Sequence, residues 1–174
     1  NRDYVFSNIL PKFPDFLPSK FDLRDKIPPV RDQGMQGSCV AHSLATIKEL
    51  HEKKEIGYSD WFSPQFIYDL RYNEGAGMYP REALKLLQRV GICKENTYPY
   101  RYESGDTDPI DEEYISDNIL EEAEVFRIGQ YRRVLTSIEL KNALIKNGPV
   151  MCTFTCWSKD KGGYYSLDGI QDFW

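Results

Sequence analysis

Histidine is the scarcest chemistry-bearing residue here: His42 and His51 are the only two. Two imidazoles and four scattered cysteines show no knuckle of zinc-ligand spacing, so no metal centre is expected. The cysteines, Cys39, Cys93, Cys152 and Cys156, are too few and too dispersed for a disulfide framework. Cys152 and Cys156 are the one close pair. In a strand they would share a face yet lie roughly 13 Å apart, too far for a bridge. Four free thiols are the expectation. Long apolar runs are also missing. Nothing approaches the roughly 20 residues that span a bilayer, and no membrane partner is expected. Residues 1–10 hold no apolar run of signal-peptide type. A basic excess is absent too: 22 Lys and Arg face 27 Asp and Glu, for a formal net charge of −5. That balance argues against nucleic acid as a partner, because phosphate binding needs a basic surface. No internal repeat is visible.

What is present suffices for a packed protein. The 174 residues are 41% hydrophobic and 14% aromatic, enough for one domain or two small lobes. Residues 1–30 carry Pro11, Pro14, Pro18, Pro28 and Pro29, which predicts an extended segment laid over a surface. Residues 1–20 read as an N-terminal extension or a propeptide remnant. Phe6, Phe13 and Phe16 would either anchor it in a groove or form part of a surface strap. The missing initiator Met suggests that a segment precedes Asn1.

From Cys39 to about Lys53 the pattern turns helical, with Val40, Leu44, Ile47 and Leu50 on one face and Ser38 as N-cap. Ser63-Pro64-Gln65 opens a short second helix, with Ser63 as cap and Pro64 in the first turn. Tyr79 to Val90 reads as a third, closed by Gly91. Residues 107–122 are acidic and polar, a crossover or flexible loop. Val125 to Ile128 suggests a strand, Ser137 to Lys146 a capped amphipathic helix, and Val150 to Thr155 another strand. A helical first half and a strand-containing second half imply an α+β protein in two lobes.

Gln33 and Cys39 carry the chemistry. A cysteine in the first turn of a long helix meets the positive end of the helix dipole, which stabilises a thiolate. Glycines before it let a substrate backbone approach. A Gln amide six residues upstream can fold back and donate a hydrogen bond to an oxyanion, with the Cys39 N–H as second donor. Gln33, Gly37, Ser38 and Cys39 would then form half of an acyl-transfer site. The plainer reading is a buried helix cysteine and a solvated Gln.

Six segments resemble one family. Val30-Arg31-Asp32-Gln33-Gly34 with Gly37-Ser38-Cys39-Val40-Ala41 resembles the nucleophile segment of papain-like cysteine peptidases. Phe21-Asp22-Leu23-Arg24 is similar to a run near that family's mature start. Ser63-Pro64-Gln65, Gly77-Met78-Tyr79-Pro80, Asn96-Thr97-Tyr98-Pro99-Tyr100 and Asn147-Gly148-Pro149-Val150 continue the likeness, from about Phe21 to Thr155. The resemblance implies a two-lobe papain-like fold. Residues 21–110 would form a mainly helical lobe, and 111–174 the start of a β-rich lobe. It implies a cysteine endopeptidase working through a thioester acyl-enzyme on peptide or protein substrates, without a cofactor. Cys39 would be the nucleophile and Gln33 the oxyanion-hole side chain. Gly77 and Met78 would lie along the substrate backbone. Tyr79 and Pro80 would line the pocket for the second side chain before the cut, and Thr153 would border it from the other lobe.

Three residues depart from the family. Gln36 stands where many members carry a disulfide cysteine, Val40 replaces a usual aromatic, and Met78 stands where glycine is common. These features fit the bacterial and virus-encoded branch. The histidine is the larger departure. Such an enzyme needs an imidazole to pair with the thiolate and protonate the leaving amine. His42, one turn after Cys39, is expected to be a hydrogen-bonded core residue. His51 lies roughly 18 Å along the helix and is expected on the surface. In the family, the base and its orienting Asn follow the segment resembling 147–155. The expectation is that a further chain segment or a partner completes the second lobe. The alternative is an inactive papain-like binding module.

Overall fold

The computed structural model describes Val5, residues 17–102, 105, 107–156 and 167–173, with only the backbone considered for 154–156 and 167–173. Phe6, Phe13 and Phe16 lie outside the described residues, as does most of the extension that holds them. The elements are α1 (Cys39–Ile56), α2 (Pro64–Asp69), α3 (Pro80–Arg89), α4 (Asp117–Val125), α5 (Ser137–Lys146), β1 (Cys152–Cys156) and β2 (Leu167–Phe173). They fall into two compact units: Arg24–Gln130, and Asn1–Leu23 with Tyr131–Trp174.

In the first unit, α1 buries Val40, Ala41, Leu44, Ala45 and Leu50 along one side. It ends where Gly57 takes φ +72° and gives its N–H to the Lys53 carbonyl while Tyr58 gives its own to Glu52, a left-handed cap that only glycine adopts cheaply. The Ser63 side chain accepts from the Phe66 N–H at 3.0 Å and so caps α2, whose residues are all buried. Pro64 supplies the first turn, where a missing N–H costs nothing. Phe62, Phe66, Ile67, Tyr68, Leu86, Leu87 and Ile92 are the large fully buried apolar side chains. Tyr58, Phe62 and Phe126 close one side of this core, with ring centroids 4.8–5.2 Å apart.

Two expectations fail between residues 107 and 128. The acidic stretch is not simply a loop: it contains a 3-10 turn at Glu112–Tyr114 and helix α4. Val125 ends that helix, so Val125 to Ile128 is not a strand. Tertiary contacts override the local β preference. Ala123 O accepts the Ile92 N–H at 3.2 Å, and Glu122 Oε1 accepts the Lys94 N–H at 2.7 Å. Phe126, 8% exposed, completes the aromatic cluster. Residues 111–130 therefore pack with the helical unit, which extends past residue 110.

In the second unit, Thr136 and Glu139 form a reciprocal capping box at the start of α5, satisfying two otherwise orphaned donors. Val134 and Ala143 are buried, with Leu140 and Val150 against them. Val5 forms a parallel bridge with Arg133. The strand expected at 150–155 begins at Cys152, and β1 pairs antiparallel with β2 from Cys152↔Phe173 to Cys156↔Leu167, with two register irregularities. Among the described residues, no helix is long and apolar enough to cross a membrane.

Gly91 marks the tightest approach. Its φ is +96°, and a Cβ there would lie 1.9 Å from the Ala123 carbonyl oxygen. Gly57 is also left-handed but has nothing within 4 Å. Gly57→Ala should cost about 1 kcal/mol from backbone strain alone. Gly91→Ala should cost about 3 kcal/mol or more, since α4 must also move. Urea unfolding midpoints of the two variants check this contrast.

Candidate active site

Cys39 is the first residue of α1, exposed and unbridged. Cys152 is also free and exposed, while Cys93 is free and buried. Burial pushes the Cys93 thiol well above its usual range. The side chain of Cys156 lies outside the described residues.

The loop before Cys39 is held by side chains. The Arg31 side chain is only 4% exposed. It donates to Glu49 Oε1 at 2.8 Å, to Glu95 Oε2 at 2.6 Å and to the Phe62 carbonyl at 2.9 Å. Asp32 Oδ1 accepts the Gly34 N–H at 2.8 Å, closing a tight turn in which Gly34 takes φ +58°. Gln36, expected to mark a missing bridge, is buried at 2% exposure. It donates to Gln65 Oε1 and to the Arg101 carbonyl, each at 3.2 Å. Gln33 Nε2 donates to the Gln36 carbonyl at 2.8 Å.

Ser38 occupies the N-cap position but does not cap with its hydroxyl. That hydroxyl lies 2.7 Å from Tyr100 Oη and 3.2 Å from His42 Nδ1. Tyr100 donates its single proton to the Gln33 carbonyl at 2.7 Å. Tyr100 therefore accepts from Ser38. His42 Nδ1 also lies 3.1 Å from the Ser38 carbonyl, which can only accept, so Nδ1 carries the proton. The His42 ring stands edge-on to Tyr100 at 4.6 Å. Burial lowers its pKa, which keeps the imidazole neutral. His42 is hydrogen-bonded as expected, but half-buried rather than fully in the core. His51, expected on the surface, is half-buried too, and burial lowers its pKa.

Gly77 comes against this loop. A Cβ on Gly37 would lie 2.6 Å from the Gly77 nitrogen. Gly77 has φ +81°. Both of its backbone polar groups are taken: its N–H donates to Tyr68 Oη at 3.3 Å, and its carbonyl accepts from Asn73 Nδ2 at 2.9 Å. Met78 is half-buried, Tyr79 is 70% exposed, and Pro80 opens α3. Gln33, Gly37, Ser38, Cys39 and the 77–80 segment therefore belong to one unit. Thr153 belongs to the other, half-buried on β1 opposite Asp172. Sequence reasoning missed the supporting residues Arg31, Tyr68, Asn73 and Tyr100. Two of them, Arg31 and Tyr100, stand inside the motifs that carried the resemblance. Among the described residues no group of His, Cys, Asp and Glu is placed to hold a metal.

The model for the papain family of cysteine proteases matches residues 17–171. The chain belongs to that family. Papain from Carica papaya is 39% identical over 88 residues, covering 48% of this chain and 26% of papain. Cathepsin K from Mus musculus is 35% identical over 95 residues, covering 52% and 29% respectively. Cysteine proteinase 3 from Entamoeba histolytica is 28% identical over 138 residues, covering 76% of this chain. This papain-family chain spans only 26–41% of those relatives' own length. Among solved structures, xylellain, a cysteine protease from Xylella fastidiosa, superposes with TM-score 0.71 at 23% identity over 98% of this chain and 73% of xylellain. Procathepsin L 3 from Tenebrio molitor larval midgut gives TM-score 0.68 at 23% identity, covering 95% of this chain and 51% of that protein. These likenesses show the papain-like α+β fold.

The Arg31 node sets a pH dependence. Burial pushes the Glu49 carboxyl up from 4.5 to about 6, although Arg31 pulls it down. A raised carboxyl pKa favours the protonated folded state. Glu49 therefore contributes stability below pH 4.5 that is lost as the pH rises through about 6. The span corresponds to about 2 kcal/mol. Wild-type stability relative to Glu49→Gln should fall by that amount between pH 4.5 and 7. Urea unfolding of both proteins across this range measures it.

Proposed function

We propose that this chain carries the nucleophile half of a cysteine endopeptidase acting on peptide or protein substrates. The observation that supports it most is an exposed thiol, Cys39, at the first turn of an 18-residue helix, behind a loop pinned by buried hydrogen bonds. Cys39 Sγ attacks the scissile carbonyl carbon, and the carbonyl electrons move onto oxygen. One Gln33 N–H is spent on the Gln36 carbonyl, so the second is left for that oxyanion. The Cys39 N–H has no partner within its own helix turn and serves as the second donor. Collapse breaks the C–N bond, the amine leaves with a proton, and water hydrolyses the thioester to a carboxylate and a free thiol.

Tyr79 and Pro80 offer an apolar wall for the second side chain before the cut. Since Gly77 uses its own N–H and C=O internally, the Met78 peptide group is the natural pairing partner for substrate backbone. His42 spends Nδ1 on Ser38 and buries Nε2, and His51 lies roughly three turns from Cys39 along α1, so we assign neither to proton exchange with Cys39. We assign the base and its orienting Asn to protein outside these 174 residues that completes the β-rich lobe. Gln36, Val40 and Met78 favour the bacterial and virus-encoded branch, and the likeness to xylellain, a bacterial protein, supports that placement.

Cys152 is as accessible a thiol as Cys39 in class, so it serves as an internal control for activation. Brief iodoacetamide treatment at mildly acidic pH should label Cys39 well before Cys152 and Cys93, as read by peptide mapping. Equal labelling of Cys39 and Cys152 would favour the inactive binding module. In the complete protein, Gln33→Ala should lower kcat roughly 10–1000-fold with a smaller change in KM. An unchanged kcat removes Gln33 from the reaction.

A further inference from the structure

One buried charge has no part in the chemistry above. Arg71 lies just past α2 and is 3% exposed. Its guanidinium donates to backbone carbonyls: Nε and Nη2 to Gly75 at 3.1 and 3.0 Å, Nη1 to Tyr68 at 2.8 Å, and Nη2 also to Thr107. Its guanidinium carbon stands 4.0 Å from the centroid of the Tyr68 ring, where the negative π face compensates the charge. Burying a guanidinium costs more than burying a methionine of similar length, so packing alone is a poor reason for an arginine here.

The segment it grips explains the choice. Gly75-Ala76-Gly77 has no side chain larger than a methyl, and both glycines are left-handed, with φ +80° and +81°. Such a run is held through its backbone. Arg71 takes the Gly75 carbonyl, Asn73 takes the Gly77 carbonyl, and Tyr68 Oη takes the Gly77 N–H. These clamps fall on Gly75 and Gly77 and not on the Met78 N–H or carbonyl. They also fix the point where Gly77 meets Gly37, two residues before Cys39.

We propose that Arg71 is a positioning residue for substrate: with Asn73 and Tyr68 it holds the Gly75–Met78 strip so that an extended peptide backbone pairs with Met78 beside Cys39. This rests on the peptidase reading. Backbone pairing along one extended segment is how a strip of this kind recognises a peptide without reading every side chain. Lysine cannot replace the arginine. An ammonium is a point charge and does not span the Gly75, Tyr68 and Thr107 carbonyls as a planar fork does.

The test compares two reagents on the complete protein. Iodoacetamide reaches Cys39 without a peptide. A peptidyl chloromethyl ketone with an apolar residue second from the warhead reaches it only along the strip. In Arg71→Lys the peptidyl reagent should slow by roughly 10–100-fold, as lost charge-assisted hydrogen bonds imply. In Asn73→Ala, a half-buried site that loses one neutral hydrogen bond, it should slow by about 3–10-fold. Iodoacetamide labelling of Cys39 should stay within about 2-fold in both, because its surroundings are unchanged. Peptide turnover should show a raised KM with a smaller change in kcat. Wild-type peptidyl rates in folded Arg71→Lys or Asn73→Ala overturn the inference and leave the peptidase reading standing. Equal slowing of both reagents also overturns it, since Arg71 would then act on the fold or the thiol. If wild-type protein shows no preference for the peptidyl reagent, the peptidase reading falls and this inference with it. Asn73→Ala keeps the test open if Arg71→Lys fails to fold.

Discussion

Arg31 ties the loop that ends at Cys39 to the rest of its unit. One guanidinium reaches Glu49 on α1, Glu95 beyond α3 and the Phe62 carbonyl ahead of α2, and lies 5.3 Å from the Trp61 ring. Glu49 Oε1 in turn accepts the Phe62 N–H at 2.9 Å. A buried ion pair of this kind adds little net stability, because desolvation offsets attraction. Losing one partner, however, costs about 3–5 kcal/mol. Its consequence is geometric. With Arg31 placed, Asp32 turns the chain, Gln36 enters the interior, and Ser38 delivers Cys39 to the first turn of α1.

The interior beside that loop is unusually polar. Asp69, fully buried, accepts from Gln65 Nε2, Tyr98 Oη, Thr107 Oγ1 and Arg101. Burial and the Asp69 hydrogen bond push the Tyr98 phenol upward, so it stays a donor. Arg71 adds a second set of bonds to the carbonyls of Tyr68, Gly75 and Thr107. The loops at 31–38, 75–78 and 98–102 are irregular, so helix and sheet ladders do not satisfy their backbone groups. Side chains from α2 and its flanks do so instead. These loops are thereby pinned without being regular, which is what a site needs if backbone atoms are to meet a ligand in one geometry.

Much of this was legible locally. The apolar spacing of Val40, Leu44 and Leu50 marks α1, Ser63-Pro64 marks the start of α2, and the Thr136/Glu139 box surrounds a helix read correctly over Ser137–Lys146. Those signals act within one turn of chain, so they survive without knowledge of the fold. Residues 107–128 were not legible. Their charge suggests a loop, although Leu120, Glu121, Glu122, Ala123 and Glu124 are good helix formers. The Ala123 carbonyl bonded to Ile92 and Phe126 packed on Tyr58 and Phe62 then fix where α4 sits and ends. Ser38 misled for a related reason: its hydroxyl faces a better partner in Tyr100, 62 residues away.

By itself the sequence determined the chemistry available. It placed a single cysteine behind a Gln–Gly loop at a helix start, supplied two histidines, both on α1, and carried the family motifs in order. Those are properties of residue type and spacing along the chain. Tertiary structure decided which groups are free to act. It committed His42 to Ser38 and Tyr100, spent one Gln33 proton on Gln36, and engaged both backbone groups of Gly77 with Tyr68 and Asn73. It also placed Arg71 on the Gly75 carbonyl. Each of these choices depends on a hydrogen-bond partner brought close by folding, and a donor's partner in a packed interior is set by proximity in space rather than by order along the chain.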